Sequence, residues 1–282
     1  MRTIRNKVAV VTGAASGIGK AIALRLAQEG AHLFLLDVDE SGLAAVVSES
    51  QQHGVEAAGR YTDVSCHKQI AESSAGALDR FGVVDILANN AGITYYGKTE
   101  DMSAEHCEKL LSINLHAPIH FVRELLPTLL EQPESHVLNV ASFFGLIGTR
   151  KLAAYTSSKF GVVGFSESLR AEYGRRGLGV TALCPGFVDT NLFATAPRGE
   201  DQQQNKIPPR WMLTTPEKIA QRAVKAIYRN QALVVQQPYA KLAYYGKRFL
   251  PGVIDWAHHL SRGKKAQRAA ILADDAERRR AA

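Results

Sequence analysis

The sequence predicts an α/β fold: a single doubly wound parallel sheet of seven strands with helices on both faces. Three observations carry this. Short apolar, often β-branched runs alternate with segments of helical spacing along most of the chain. The runs are apolar almost without interruption, as strands covered on both faces are. The helical segments between them are long enough to make right-handed crossovers between parallel strands. With 282 residues, 46% hydrophobic and 22% charged, the chain can bury a large core.

The strands are read in order at 7–12 (KVAVVT), 31–37 (AHLFLLD), within EAAGRYTDV near residue 60, at 84–90 (VDILANN), 136–142 (HVLNVAS), 179–185 (GVTALCP) and 232–237 (ALVVQQ). The third is the least regular. Ile22, Leu24 and Leu26 mark the first helix, and Gly30, Gly54 and Gly82 fall where helices should stop. Thr215 before Pro216 reads as an N-cap followed by a proline in the first helical turn. Residues 190–214 interrupt the alternation as a long connection, which reads as a lid or binding loop. Residues 1–237, lid included, are read as one catalytic domain. Residues 238–282 are read as a basic, aromatic extension packing on or near the substrate pocket.

Composition excludes several classes. Cys66, Cys107 and Cys184 form no CxxC pair, so a disulfide framework or zinc knuckle is not expected, and a reducing, cytoplasmic setting is. The N-terminal apolar run stops at Thr12 and Gly13, unlike a signal peptide, and no run of 18 apolar residues occurs. No metal site is expected. His116 and His120 lack the glutamate of a zinc protease motif and have Pro118 between them, and the His258–His259 pair has no partner ligands. GFSES (164–168) lacks the second glycine of a nucleophile elbow.

Gly13, Gly17 and Gly19 separate the first strand from the first helix. A chain that turns sharply and lets a pyrophosphate approach its backbone has no room there for side chains. The helix N-terminus adds free N–H groups and positive partial charge. Asp37 ends the second strand, where a carboxylate accepts hydrogen bonds from adenosine ribose hydroxyls and repels a 2′-phosphate. No Arg or Lys follows in DVDE, so NAD is expected and NADP disfavoured.

Tyr155 and Lys159 stand four apart and share one helix face. An ammonium near a phenol lowers the phenol's pKa, which suits proton exchange with an alcohol near neutral pH. Ser142 lies at the end of the fifth strand, where parallel sheets bind ligands, and its hydroxyl is placed to polarise a carbonyl oxygen. NNAG (89–92) ends the fourth strand, and Asn114 in SINL is an interior helical asparagine, mildly unfavourable unless used.

The chain therefore resembles the short-chain dehydrogenase/reductase family. The matching pieces are TGAASGIG (12–19), Asp63 in TDV, NNAG, Asn114, Ser142, YTSSK (155–159) and CPGFVDT (184–190), over about residues 7–237. The resemblance implies a catalytic set of Asn114, Ser142, Tyr155 and Lys159. Tyr155 would be the acid/base, Lys159 would tune it and hold the nicotinamide ribose, Ser142 would orient the substrate oxygen, and Asn114 would hold a relay water. It implies cofactor contacts at Gly13, Ser16, Gly17, Ile18 and Gly19, at Asp37, Asp63 and Val64, at Asn90, Ala91 and Gly92, and at Pro185, Gly186, Val188 and Thr190. Hydride transfer between NAD(H) and a secondary alcohol or ketone follows, in a homodimer or homotetramer. An NADP-dependent carbonyl or 3-oxoacyl reductase and a non-catalytic nucleotide sensor are the alternatives.

Phe143, Phe144, Leu192 and Phe193, with Trp211, Met212 and Leu213 of the lid, suggest a greasy pocket beside Ser142 and Tyr155 for a bulky steroid-, retinoid- or lipid-like substrate. Arg150 and Arg198 are the candidates for holding a carboxylate. Net charge is −3 over residues 1–190 and +10 over 191–282. That basic, aromatic C-terminal third suits solvated surface first, a peripheral membrane contact second and nucleic acid a distant third, so no nucleic-acid partner is expected.

Overall fold

The computed structural model of the protein describes residues 1–190, 192, 197, 209–250 and 252. The chain divides into two compact units, Met1–Gln237 and Pro238–Ala282. The first holds a seven-stranded sheet in the order β3-β2-β1-β4-β5-β6-β7. The strands are β1 (Val8–Thr12), β2 (His32–Asp37), β3 (Ala57–Tyr61), β4 (Ile86–Asn89), β5 (Ser135–Val140), β6 (Leu178–Cys184) and β7 (Leu233–Val235). All six pairings are parallel. The order reverses direction at β1, so a crevice opens beyond the carboxyl ends of β1 and β4.

Helices α1 (Gly17–Gln28), α2 (Glu40–Gln51) and α3 (His67–Phe81) connect the first half. The second half uses α4 (Ala104–Leu111), α5 (Ala117–Glu131), α6 (Ala153–Tyr173) and α7 (Pro216–Arg229). Strand alternation sorts the core into two layers. Ala9, Val11, Leu33 and Leu35 pack with Ile22 and Leu26 of α1 and Ile219 and Ile227 of α7. Val10, Phe34, Leu36 and Leu87 face Ile70 of α3, Phe121 and Leu125 of α5, and Leu169 of α6.

The expected helix signals have physical counterparts. Gly82 caps α3 at φ +73°, and Gly30 and Gly54 turn the chain after α1 and α2 at φ +87° and +76°. The Thr215 side chain accepts from the Lys218 N–H at the start of α7. The irregular third strand is an edge, buried only where it begins, so its outward residues need not be apolar.

Asn114 is not in an ordinary helix. The segment runs α4, then a π turn over Ser112–His116, then α5. Pro118 does not break it: the proline falls in the first turn of α5, directly after the widened turn. The second unit contributes one described helix, α8 (Pro238–Phe249).

Candidate active site

The loop after β1 is built around close approach. Gly13 has φ +64°, and a Cβ there would sit 2.8 Å from the Ala91 Cα. A Cβ at Gly19 would meet the Gly13 carbonyl at 1.9 Å, so this glycine lets the helix close onto the loop. Ser16 precedes α1 without a side-chain cap, which leaves the helix's first N–H groups for a ligand. The Asp37 carboxylate accepts from Ala15 N (2.8 Å), Val38 N (2.8 Å) and Asp39 N (3.1 Å). It thereby fixes the glycine loop against the end of β2. Asn90 ties β4 to the same loop, its Nδ2 donating to the Thr12 and Gly13 carbonyls at 3.0 Å each.

These groups border a cavity of about 1190 Å³ at the carboxyl ends of the strands. Of the residues singled out for the cofactor, Gly13, Ser16, Gly17, Ile18 and Asp37 line it on the β1–β2 side. Asp63, Val64, Asn90, Ala91 and Gly92 form its floor, and Pro185, Gly186, Val188 and Thr190 a further wall. Gly19 does not line it; its place is behind the loop, for the packing reason above. The cradle that extra Cβ atoms would fill, the uncapped helix end and the Asp37 carboxylate at the cavity edge suit a dinucleotide.

Ser142, Tyr155 and Lys159 meet at the same cavity. Ser142 follows β5, and its hydroxyl hydrogen-bonds the Tyr155 phenol, which favours the phenolate. Lys159 Nζ donates to the Val140 carbonyl at 2.9 Å and stands 5.8 Å from the Tyr155 ring centroid. Asn114 is 1% exposed and does not line the cavity. Its side chain accepts from Ile93 N (2.8 Å) and donates to Ile93 O (2.9 Å) and Ser158 Oγ (3.2 Å). A bond back to its own helix is the ordinary place for such a side chain. The π turn instead aims it across at the loop after β4.

The ionisation state differs from the expectation of a lowered tyrosine pKa. Burial pushes Tyr155 up to about 12, against the opposing effect of the Ser142 hydrogen bond. Burial pulls Lys159 down to about 8. The ammonium lies over the ring and donates to a backbone carbonyl, so in the protein alone desolvation outweighs its attraction for the phenolate. Cys184, at the end of β6, is pushed up to about 12 by burial, and its sulfur receives the Ser142 N–H.

The substrate wall is narrower than the sequence suggested. Phe144 and Leu192 line the cavity; Phe143, beside Phe144, is 7% exposed and does not. The two rings touch, with centroids 5.5 Å apart, but within the single 3₁₀ turn Phe143–Gly145 only Phe144 reaches the cavity. Trp211, Met212 and Leu213 do not line it either, and Trp211 is 74% exposed. Phe193 and Arg198 lie outside the described residues. Arg150 does not line the cavity. The structure adds Phe187, whose ring meets Phe144 edge-on at 5.9 Å, and the face made by His106 and Lys109 of α4 and Ile113 of the π turn. Those three stand at i, i+3 and i+7, a spacing that could have revealed them once Asn114 was singled out.

His120 packs its ring 4.3 Å from that of His67, and burial and neighbouring cations lower its pKa. No group of three or more His, Cys, Asp or Glu among the described residues could hold a metal ion.

The crevice and its polar set define a nucleotide-dependent oxidoreductase. The family model for short chain dehydrogenases matches residues 7–201. A putative oxidoreductase, SadH, of Mycobacterium tuberculosis is 35% identical over 241 residues, covering 83% of this chain and 87% of that protein. A putative ketoacyl reductase of Streptomyces coelicolor is 39% identical over 197 residues, covering 69% and 76%. A short-chain dehydrogenase/reductase from Burkholderia phymatum, in complex with NAD, superposes with a TM-score of 0.79 at 29% identity, covering 90% of this chain and 96% of that one. This chain belongs to the short-chain dehydrogenase/reductase family, Rossmann-fold oxidoreductases that bind NAD or NADP.

Proposed function

We propose that this protein interconverts a secondary alcohol and its ketone with NAD(H), on a bulky, largely apolar substrate. The observation that carries the reading is the convergence of Ser142, Tyr155 and Lys159 on one cavity wall, with Lys159 one helical turn from the tyrosine. When bound, the nicotinamide supplies or accepts the hydride at its C4. The chain does the rest. Gly13, Gly17 and the N-terminus of α1 hold the pyrophosphate, and Asp37 holds the adenosine ribose. Ser142 donates to the substrate oxygen. Tyr155 gives that oxygen a proton during reduction and removes it during oxidation. Lys159 holds the nicotinamide ribose, and Asn114 acts by fixing Ile93 and Ser158 around the tyrosine's helix.

NAD is favoured because Asp37 faces the cavity with alanines at 14 and 15 and Val38 beside it, so no cation adjoins it in sequence. Phe144 and Phe187 support the apolar substrate class. The name of the Streptomyces relative, a putative ketoacyl reductase, favours one second reading, the reduction of a 3-oxoacyl substrate. Assembly into a homodimer or homotetramer through the helices bearing Asn114 and Tyr155 is proposed on the resemblance, and sedimentation velocity tests it.

The deciding experiment follows nicotinamide absorbance at 340 nm across alcohols and ketones, with NAD and NADP in parallel. The expected result is turnover of bulky apolar substrates with a clear NAD preference. Comparable efficiency with NADP would refute the assignment to Asp37. Dinucleotide binding without turnover of any alcohol or ketone would overturn the catalytic reading.

A further inference from the structure

Helix α8 presents one continuous face to solvent. Pro238, Lys241, Leu242, Tyr245, Arg248 and Phe249 are its exposed positions before Leu250, all at helical spacing. Leu242 is 77% exposed, Tyr245 54% and Phe249 75%. At 3.6 residues per turn these three fall within an arc of about 60°, with Lys241 and Arg248 about 40–60° to one side. The Tyr245 and Phe249 rings stack at 6.4 Å with 18° between their planes, and Leu250 extends the apolar surface at 61% exposure. Single exposed apolar residues are ordinary, but an ordered stripe of aromatic and aliphatic side chains with an adjacent cationic edge is not.

We propose that α8 is a peripheral membrane anchor that lies in the headgroup region of an anionic lipid surface. Leu242, Tyr245 and Phe249 would enter the acyl boundary, and Lys241 and Arg248 would reach the lipid phosphates. Charge chooses this occupant. Residues 238–252 carry Lys241, Lys247 and Arg248 and no acidic residue. A second copy of the same face would bring the cations Lys241 and Arg248 against the same pair. An anionic bilayer complements both parts of the stripe: apolar side chains insert while long cationic ones keep their heads at the phosphates. No helix among the described residues is long and apolar enough to cross a membrane, so the contact is one of lying on the surface. The proposal stands apart from the reaction assigned above.

The test is co-sedimentation of the full chain with vesicles of phosphatidylglycerol and phosphatidylcholine, and with phosphatidylcholine alone, at low salt and at high salt. Wild type is expected to bind the anionic vesicles at least about tenfold better than the neutral ones, and to lose that preference at high salt. L242S/F249S should reduce binding about tenfold or more, and K241Q/R248Q should remove the anionic preference. Circular dichroism checks each fold, and if the first variant does not fold, the second decides. Absence of wild-type binding at low salt would overturn the proposal. So would undiminished binding by the folded variants, which would place the contact outside α8. An assembly in sedimentation velocity that L242S/F249S dissolves, with no vesicle binding, would assign the stripe to a second copy and overturn it as well.

Discussion

Buried polar and titratable groups stand near both ends of strands β5 and β6, under different constraints. Toward the amino ends, His136 is 0% exposed and its Nε2 lies 2.9 Å from Thr181 Oγ1. Thr181 donates its own proton to the Gln231 carbonyl, so His136 must donate from Nε2. That leaves Nδ1 as a bare acceptor without a partner, pressed against Gly179, where even a Cβ would stand at 2.3 Å. A proton added there would find no acceptor, and burial holds the imidazole down at about 3. Beyond the carboxyl ends, Ser142, Tyr155 and Lys159 are equally deep, at 4–7% exposure, yet all three border the cavity. Burial alone therefore does not mark chemistry. A buried ionisable group with access to a ligand space is poised for reaction, whereas one sealed by backbone is held in a single state.

Substitutions at the two ends should separate these roles. The largest effect is expected from Tyr155→Phe, which keeps the ring and removes the proton. It should lower kcat/KM by about 10²–10⁴-fold with little change in Tm, measured on the best substrate from the screen. A fold-intact variant with nearly full activity would remove the proton-transfer role.

Lys159→Met comes next, with a loss of about 10²-fold in kcat/KM and an opposite effect on folding. Lys159 titrates at about 8 in the folded protein against 10.5 for the ordinary group, so the folded state binds its proton less tightly than the unfolded state does. Its charge therefore works against folding below about pH 8, and wild-type stability should rise as pH increases from 8 to 10.5. Thermal melts of the methionine variant should lack that rise.

Asn114→Ala removes three hydrogen bonds around Ile93 and Ser158 and should cost about 1–3 kcal/mol of stability in urea melts. A drop in kcat of about tenfold, with KM for the dinucleotide little changed, would identify a positioning role, since the residue does not line the cavity.

The smallest catalytic effect is expected at the sealed end. His136→Gln should leave kcat/KM within about twofold. In wild type the unfolded state takes up a proton below about pH 6.5 that the folded state refuses until about 3, so stability falls as pH falls through that window. The glutamine variant should show a flatter acid limb. A large kcat loss in this variant would break the contrast between the two ends.

Much of this was legible because period and spacing are local. Alternating strands and helices, the glycine loop, Asp37 at a strand end and the Tyr155–Lys159 pair all follow from short stretches of chain. What was not legible depends on direction. Phe143 and Phe144 are neighbours of the same type, and only the 3₁₀ turn decides which one faces the cavity. Asn114 looked like an ordinary helical asparagine, and only the π turn sends its side chain to Ile93. Gly19 belonged visibly to the loop, but its role is contact with the Gly13 carbonyl rather than with the cavity. Trp211 read as a pocket residue by its size and stands in solvent.

The sequence by itself determined the parallel sheet, the place of the crevice and the residue types, Ser142, Tyr155 and Lys159, that meet there. These rest on hydrophobic period and on residue chemistry at fixed intervals. Only the tertiary structure decided the ionisation of those side chains. A pKa depends on solvent exclusion and on the groups that happen to surround an atom in space. For Tyr155 and Lys159, those surroundings set a protonated phenol and a weakened ammonium where spacing alone had promised the reverse for the phenol.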